Sequence, residues 1–154
     1  MTRIIAGQAR GRTIVVPDSG TRPTADRARE GLFSSLNARW GFAGSRVLDL
    51  FAGSGALGLE AASRGAEEVV LVDDAAVACR AMEHNVGVVG HPRVTIWQQK
   101  ASAYLAGAPR GFFDMVLADP PYAFDAVDEL ITAIEPALAD EAIVVIERHV
   151  DSPH

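Results

Sequence analysis

Val47-Leu48-Asp49-Leu50-Phe51-Ala52-Gly53-Ser54-Gly55-Ala56-Leu57-Gly58 reads as a short apolar strand that passes through a glycine turn into a helix. Gly53, Gly55 and Gly58 make a GxGxxG, a spacing that lets backbone amides at a helix N-terminus approach a ligand. The next apolar run, residues 69–72, leads into Asp73, twenty residues past Gly53. A carboxylate there can accept hydrogen bonds from two ribose hydroxyls, and Asp74 stands beside it as a second candidate. Dinucleotide-binding oxidoreductases share this spacing; Asp49 separates the two readings. A carboxylate four residues before the first glycine repels a pyrophosphate. S-adenosylmethionine has no phosphate and offers a cationic ammonium and sulfonium instead. Asp49, Phe51, Ala52, Gly53, Ser54 and Gly55 are therefore expected at a methyl-donor site, with Asp73 or Asp74 on its ribose. The plainer alternative is a strand-to-helix turn in which Asp49 is a capping residue.

Outward from this stretch the chain alternates short apolar runs with helical periods. Strands are expected at 47–51, 69–72, 94–97, 115–118 and 143–147, and helices at 56–64, 75–88, 101–105 and 124–138, with Pro136 kinking or ending the last. That alternation predicts an α/β fold with a mostly parallel sheet and helices on both faces. Before it, strands at 3–5 and 12–16 form a hairpin through residues 7–11, and Thr24 caps a helix over 25–36. One domain over 1–154 is expected, with a basic hairpin and helix in 1–40 and a cofactor-binding core in 45–148.

Ligands of such a sheet bind at the carboxyl ends of its strands, and the fourth core strand ends in Asp119-Pro120-Pro121-Tyr122. Two prolines in succession stiffen the loop. An exocyclic amino nitrogen of a nucleobase is a poor nucleophile because its lone pair is delocalised into the ring. The Asp119 carboxylate and the Pro120 carbonyl can each accept one N–H from it, which draws the nitrogen toward tetrahedral geometry; acceptors fixed beforehand gain most. Tyr122 can stack on a base that has left its own stack. Asp119, Pro120, Pro121 and Tyr122 are thus the candidate catalytic residues, for direct methyl transfer to an amino nitrogen. A strand-ending turn is the alternative.

Seven arginines against three acids give residues 1–40 a net +4, which leaves −10 for the rest of a chain whose total is −6. A basic arm on an acidic body suggests a polyanionic partner; an arginine-rich solvated surface would look the same. The lone Cys79 shares a helical face with Met82 and Val86 and is expected in the core, and the four histidines lack metal-ligand spacing, so no metal is expected. The apolar runs, such as 142–146, are far shorter than a membrane span, and Arg3, Arg10 and Arg12 interrupt any export signal, which predicts a cytoplasmic protein.

The motifs at 49–55 and 119–122 resemble those of class I amino-methyltransferases, whose fold is Rossmann-like. Arg3-Ile4-Ile5-Ala6-Gly7, Gly11-Arg12, Arg22-Pro23-Thr24, Arg29-Glu30 and Leu32-Phe33 narrow the resemblance to bacterial 16S rRNA guanine-N2 methyltransferases of the RsmD type, over nearly the whole chain. The resemblance implies S-adenosylmethionine as cofactor, a guanine of small-subunit rRNA as target, and 30S subunits or their assembly intermediates as partner, with the enzyme a monomer. It makes Arg3, Arg10, Arg12, Arg22, Arg27 and Arg29 candidate rRNA contacts, although Arg29 and Glu30 could instead brace the helix. Two departures stand out. Where many class I enzymes carry an acid for the adenine amino group, this chain has Lys100-Ala101-Ser102, so the backbone or Ser102 is expected to hold the adenine, at Ala101-Ser102. The family's C-terminal hairpin is missing: either the chain is a truncated piece or the sheet has lost an edge, and the first is expected because an open strand edge invites aggregation. The same catalytic loop would serve an adenine-N6 methyltransferase acting on DNA or RNA. A nicotinamide-dependent oxidoreductase and a non-catalytic RNA-binding module are the readings from other classes.

Overall fold

The computed structural model describes residues 2–16, 25–121 and 126–147, with side chains of α1 described from residue 28. Arg22, Thr24, Tyr122, Phe124, His149, His154 and the Arg27 side chain lie outside the described residues. The elements are β1 (Thr2–Arg3), β2 (Thr13–Ile14), α1 (Ala25–Arg39), β3 (Arg46–Leu50), α2 (Ala56–Ser63), β4 (Glu68–Asp73), α3 (Ala76–Val89), β5 (Val94–Gln98), α4 (Ala101–Ala106), β6 (Phe113–Ala118), α5 (Val127–Ile134) and β7 (Leu138–Ile146). A single 3-10 turn, Glu135–Ala137, carries Pro136 and closes α5, as the missing proline N–H requires.

Five strands form one sheet in the order β5-β4-β3-β6-β7, every neighbouring pair parallel. β3 is central. The chain builds outward from it to β4 and β5, then crosses back to β6 and β7, so the switch in direction falls between β3 and β6, where a crevice opens at the strand ends. Alternation along β3 assigns its side chains to two cores. Val47 packs with Val69, Leu71, Met115 and Leu117 against α1, α2 and α3, while Leu48 and Leu50 pack with Val70, Val72 and Val116 against α4 and α5. Truncating a fully buried leucine such as Leu48 to alanine costs about 2–5 kcal/mol.

β1 and β2 make a separate antiparallel pair, Thr2 opposite Ile14 and Arg3 opposite Thr13. Each strand is two residues long, shorter than the expected 3–5 and 12–16, and the cause is competition for backbone groups. The amides of Ile5 and Ala6 donate to the Glu60 carboxylate at 2.9 and 3.1 Å, and the amide of Val15 donates to Asn85 Oδ1 at 2.8 Å. The hairpin's own cross-strand bonding continues through Ile4, whose N–H donates to the Arg12 carbonyl at 2.9 Å and whose carbonyl accepts the Gly11 N–H at 2.8 Å; Ile5, Ala6 and Val15 are bonded to α2 and α3 instead. Gly7 rests against the end of α2 at φ 88°, where a Cβ would fall 1.9 Å from the Ser63 carbonyl oxygen, so only glycine fits. The last strand begins at Leu138, five residues before the expected start, and its register against β6 shifts between Phe113 and Met115.

Candidate active site

The chain leaves β3 through Phe51, a non-glycine residue at φ 58°, and turns through Gly53 at φ 59° and Gly55 at φ 83° into α2. Gly58 seals the turn. A Cβ there would meet Leu71 Cδ2 at 2.4 Å and Asp49 at 3.1 Å, so the third glycine is needed for helix-to-strand packing. Asp73, at the end of β4, is fixed across this loop: its Oδ2 accepts the Gly53 N–H and its Oδ1 the Ala75 N–H, both at 2.9 Å.

A cavity of about 600 Å³ opens at the carboxyl ends of the strands, within the usual range for small-molecule sites. Of the residues expected from sequence, Phe51, Asp73, Asp74, Ala101, Ser102, Asp119 and Pro121 line it together. Pro120 is buried just behind. Ala52, Gly53, Ser54 and Gly55 shape the turn beside the cavity without lining it. Tyr122 lies outside the described residues.

Asp49 is placed differently from the expectation of an acid presented to the ligand. It is fully buried, does not line the cavity, and lies on the face of β3 that packs on α2, where its Oδ2 accepts the Gly58 N–H at 2.8 Å. Its Oδ1 has no hydrogen-bond partner among the described residues. Burial pushes its pKa up to about 8; the Gly58 bond opposes this, and the charges of Asp119, Asp73 and Glu147 add to it. The structure thus puts Asp49 in the capping place, holding the turn, with Asp119, Asp73 and Glu147 near enough to raise its pKa.

Sequence reasoning did not single out Gln99, Lys100 or Glu129 as ligand contacts, yet all three line the cavity. Gln99 and Lys100 follow β5 directly, and the rule that ligands sit at carboxyl ends would have found them. Glu129 stands on α5, whose apolar stripe marks the buried face through Leu130 and Ile134, while which polar residue borders the cavity depends on how the helix packs.

The arginines divide. Arg3 and Arg10 are exposed. Arg12 is exposed but donates through Nη1 to the carbonyls of Val88 and Val89 at 3.0 and 3.1 Å, capping the end of α3. Arg29 is withdrawn from the surface: it donates to Thr2 Oγ1 and the Arg3 carbonyl and pairs with Glu60 at 3.6 Å. Its bracing role replaces the expected RNA contact, because a guanidinium 6% exposed presents no face to a polyanion. Cys79 is buried, and burial raises its thiol pKa, as for a core cysteine. His91 meets the Ala66 carbonyl at 2.8 Å. Among the described residues no cluster of His, Cys, Asp and Glu could hold a metal ion, and no helix is long and apolar enough to cross a membrane.

Comparison with known proteins gives a consistent set. A family model described as conserved hypothetical protein 95 matches residues 2–154. Ribosomal RNA small subunit methyltransferase D of Escherichia coli K12 is 39% identical over 155 residues, spanning 97% of this chain and 76% of that protein. The protein of the same name from Haemophilus influenzae is 33% identical, spanning 98% of this chain and 80% of its own length. A solved structure named "Putative methyltransferase yhhF from Escherichia coli" superposes with a TM-score of 0.83 at 37% identity, covering 99% of this chain and 84% of that one.

Proposed function

The chain belongs to the conserved hypothetical protein 95 family, as an RsmD-type methyltransferase, and from that premise we propose that it methylates the exocyclic N2 of a guanine in 16S ribosomal RNA of the small subunit. The observation that carries this is the meeting of Asp73, at the end of β4, and Asp119, at the end of β6, in one cavity beside the glycine turn. Methyltransferase relatives imply a methyl donor, and the residues present fit S-adenosylmethionine. Asp73 is held with both oxygens set by backbone amides, suited to two ribose hydroxyls. Asp49 is buried facing α2, so the methyltransferase relatives are what disfavour the nicotinamide reading. Ala101 or Ser102 would lie along the adenine. When bound, S-adenosylmethionine supplies an electrophilic methyl group.

The chain's own part is positioning and charge. Asp119 and the Pro120 carbonyl accept the two N–H bonds of the guanine amino group and localise the nitrogen lone pair, and Tyr122 stacks on the flipped base. No strong general base is required, because the methylated nitrogen sheds its proton readily. Arg3 and Arg10, with Arg22 and Arg27, contact rRNA phosphates. The enzyme acts as a cytoplasmic monomer on 30S subunits or their assembly intermediates. Transfer of labelled methyl groups to 30S particles from cells lacking the enzyme, followed by mass spectrometry of the nucleosides, tests this. N2-methylguanosine is expected; N6-methyladenosine moves the assignment to adenine, and no transfer ends it.

A further inference from the structure

Asn85 is the one amide among the buried residues of α3, on the stripe that carries Ala78, Met82 and Val89. It is fully buried, and its side-chain hydrogen-bond partners lie outside its own helix. Oδ1 accepts the Val15 N–H at 2.8 Å; Nδ2 donates to the Val15 carbonyl at 2.8 Å and to the Ser54 carbonyl at 2.9 Å. The first two bonds imitate one rung of a β-ladder and hold the residue just after β2. The third fixes the middle of the glycine turn. A planar amide cannot satisfy both partners in two unrelated orientations, so the hairpin and the turn must share one geometry.

Position matters here because Ser54 lies between two glycines in the left-handed region, at φ 59° and 83°. Within the turn, the peptide plane that carries the Ser54 carbonyl is held on its other edge by the Gly55 N–H, which donates to the Ala52 carbonyl at 2.8 Å. The side chain of Asn85 holds the carbonyl edge of that plane and is the bond that ties it to the hairpin. The other end of the hairpin is tied to the same helix by Arg12, which caps it at Val88 and Val89. A ligand that settles the turn therefore also settles Val15, through a single rigid side chain.

We propose that Asn85 is a positioning residue that couples occupancy of the glycine turn to the placement of the N-terminal hairpin, so that methyl-donor binding and RNA engagement by the hairpin favour each other. The coupling rests on the methyl-donor assignment of the turn, and by linkage it acts equally in both directions. A residue that only stabilised the fold would slow exchange everywhere alike; a coupling residue links two specific places.

The test is amide hydrogen exchange on the whole chain with and without S-adenosylhomocysteine. In the wild type, the ligand should slow exchange at residues 52–58 and also at Val15, the latter by about fivefold or more, the lower end of typical coupling between sites. Asn85→Asp keeps an acceptor for the Val15 N–H but loses both donated bonds, so protection should remain at 52–58 and vanish at Val15. Protection of the turn with Val15 unchanged in the wild type, or coupling that survives in Asn85→Asp, overturns the proposal. The wild-type comparison alone decides it if the variant does not fold. A wild type in which S-adenosylhomocysteine protects nothing removes the methyl-donor assignment, and the coupling falls with it.

Discussion

Gly58 donates its backbone N–H to Asp49 Oδ2 at 2.8 Å inside the core, and in doing so it turns an acid of the central strand toward α2 and away from the cavity. A buried carboxylate with one amide and one empty lone-pair face holds its proton. Burial pushes the Asp49 pKa from the ordinary 3.8 up to about 8, which favours the protonated form at neutral pH.

Its folded pKa is raised, so between the two values the native state binds a proton that the unfolded chain does not. Stability is then full below about pH 4, falls as pH rises toward about 8, and is level above that. Thermal unfolding of the wild type and of Asp49→Asn across this range checks it. The asparagine variant should lack the decline, and a decline of equal size in both would assign it to other groups.

Asp119→Ala should lower the rate of methyl transfer by about 100- to 1000-fold, the usual effect of removing one preorganised group at a reacting centre. Affinity for S-adenosylhomocysteine should change by no more than a few fold. Full activity in this variant would refute the role given to the Asp-Pro-Pro loop.

Asp73→Ala should weaken S-adenosylhomocysteine by about 1.5–3 kcal/mol, the range for losing a charged hydrogen-bond acceptor. Asp74, exposed and without the two amide bonds that set Asp73, should matter less. Equal losses at both positions would mean that the ribose is shared between them.

Glu60 is fully buried between the Ile5 and Ala6 amides, Arg64 at 2.9 Å and Arg29 at 3.6 Å. Glu60→Ala should cost about 3–5 kcal/mol in urea unfolding, because it strands buried cationic partners. Deleting the hairpin would do similar damage, so it cannot serve as a clean test of RNA binding. Arg3→Ala and Arg10→Ala should each instead reduce the slope of log affinity against log salt by about 1, the effect of leaving one phosphate without its arginine.

The sequence alone determined the order of strands and helices, the glycine turn, and the loops at 73–74 and 119–121 that meet in the cavity. Those features are local. Apolar periodicity, proline stiffness and glycine φ act within a dozen residues, and the parallel topology then carries the strand ends to one side. Tertiary structure decided what each buried polar group does. Arg29 looks like an RNA contact in a basic arm, yet it is buried on Glu60, and Arg12, though exposed, also caps α3. Asn85 and Glu60 find their partners 70 and 55 residues away in the chain. Asp49 was legible as an acid in the cofactor strand, but the face it occupies depends on the pleat of β3 and on the close approach of α2 at Gly58. A buried charge must be matched by whatever donors the packed fold brings within about 3 Å, and only the fold chooses them.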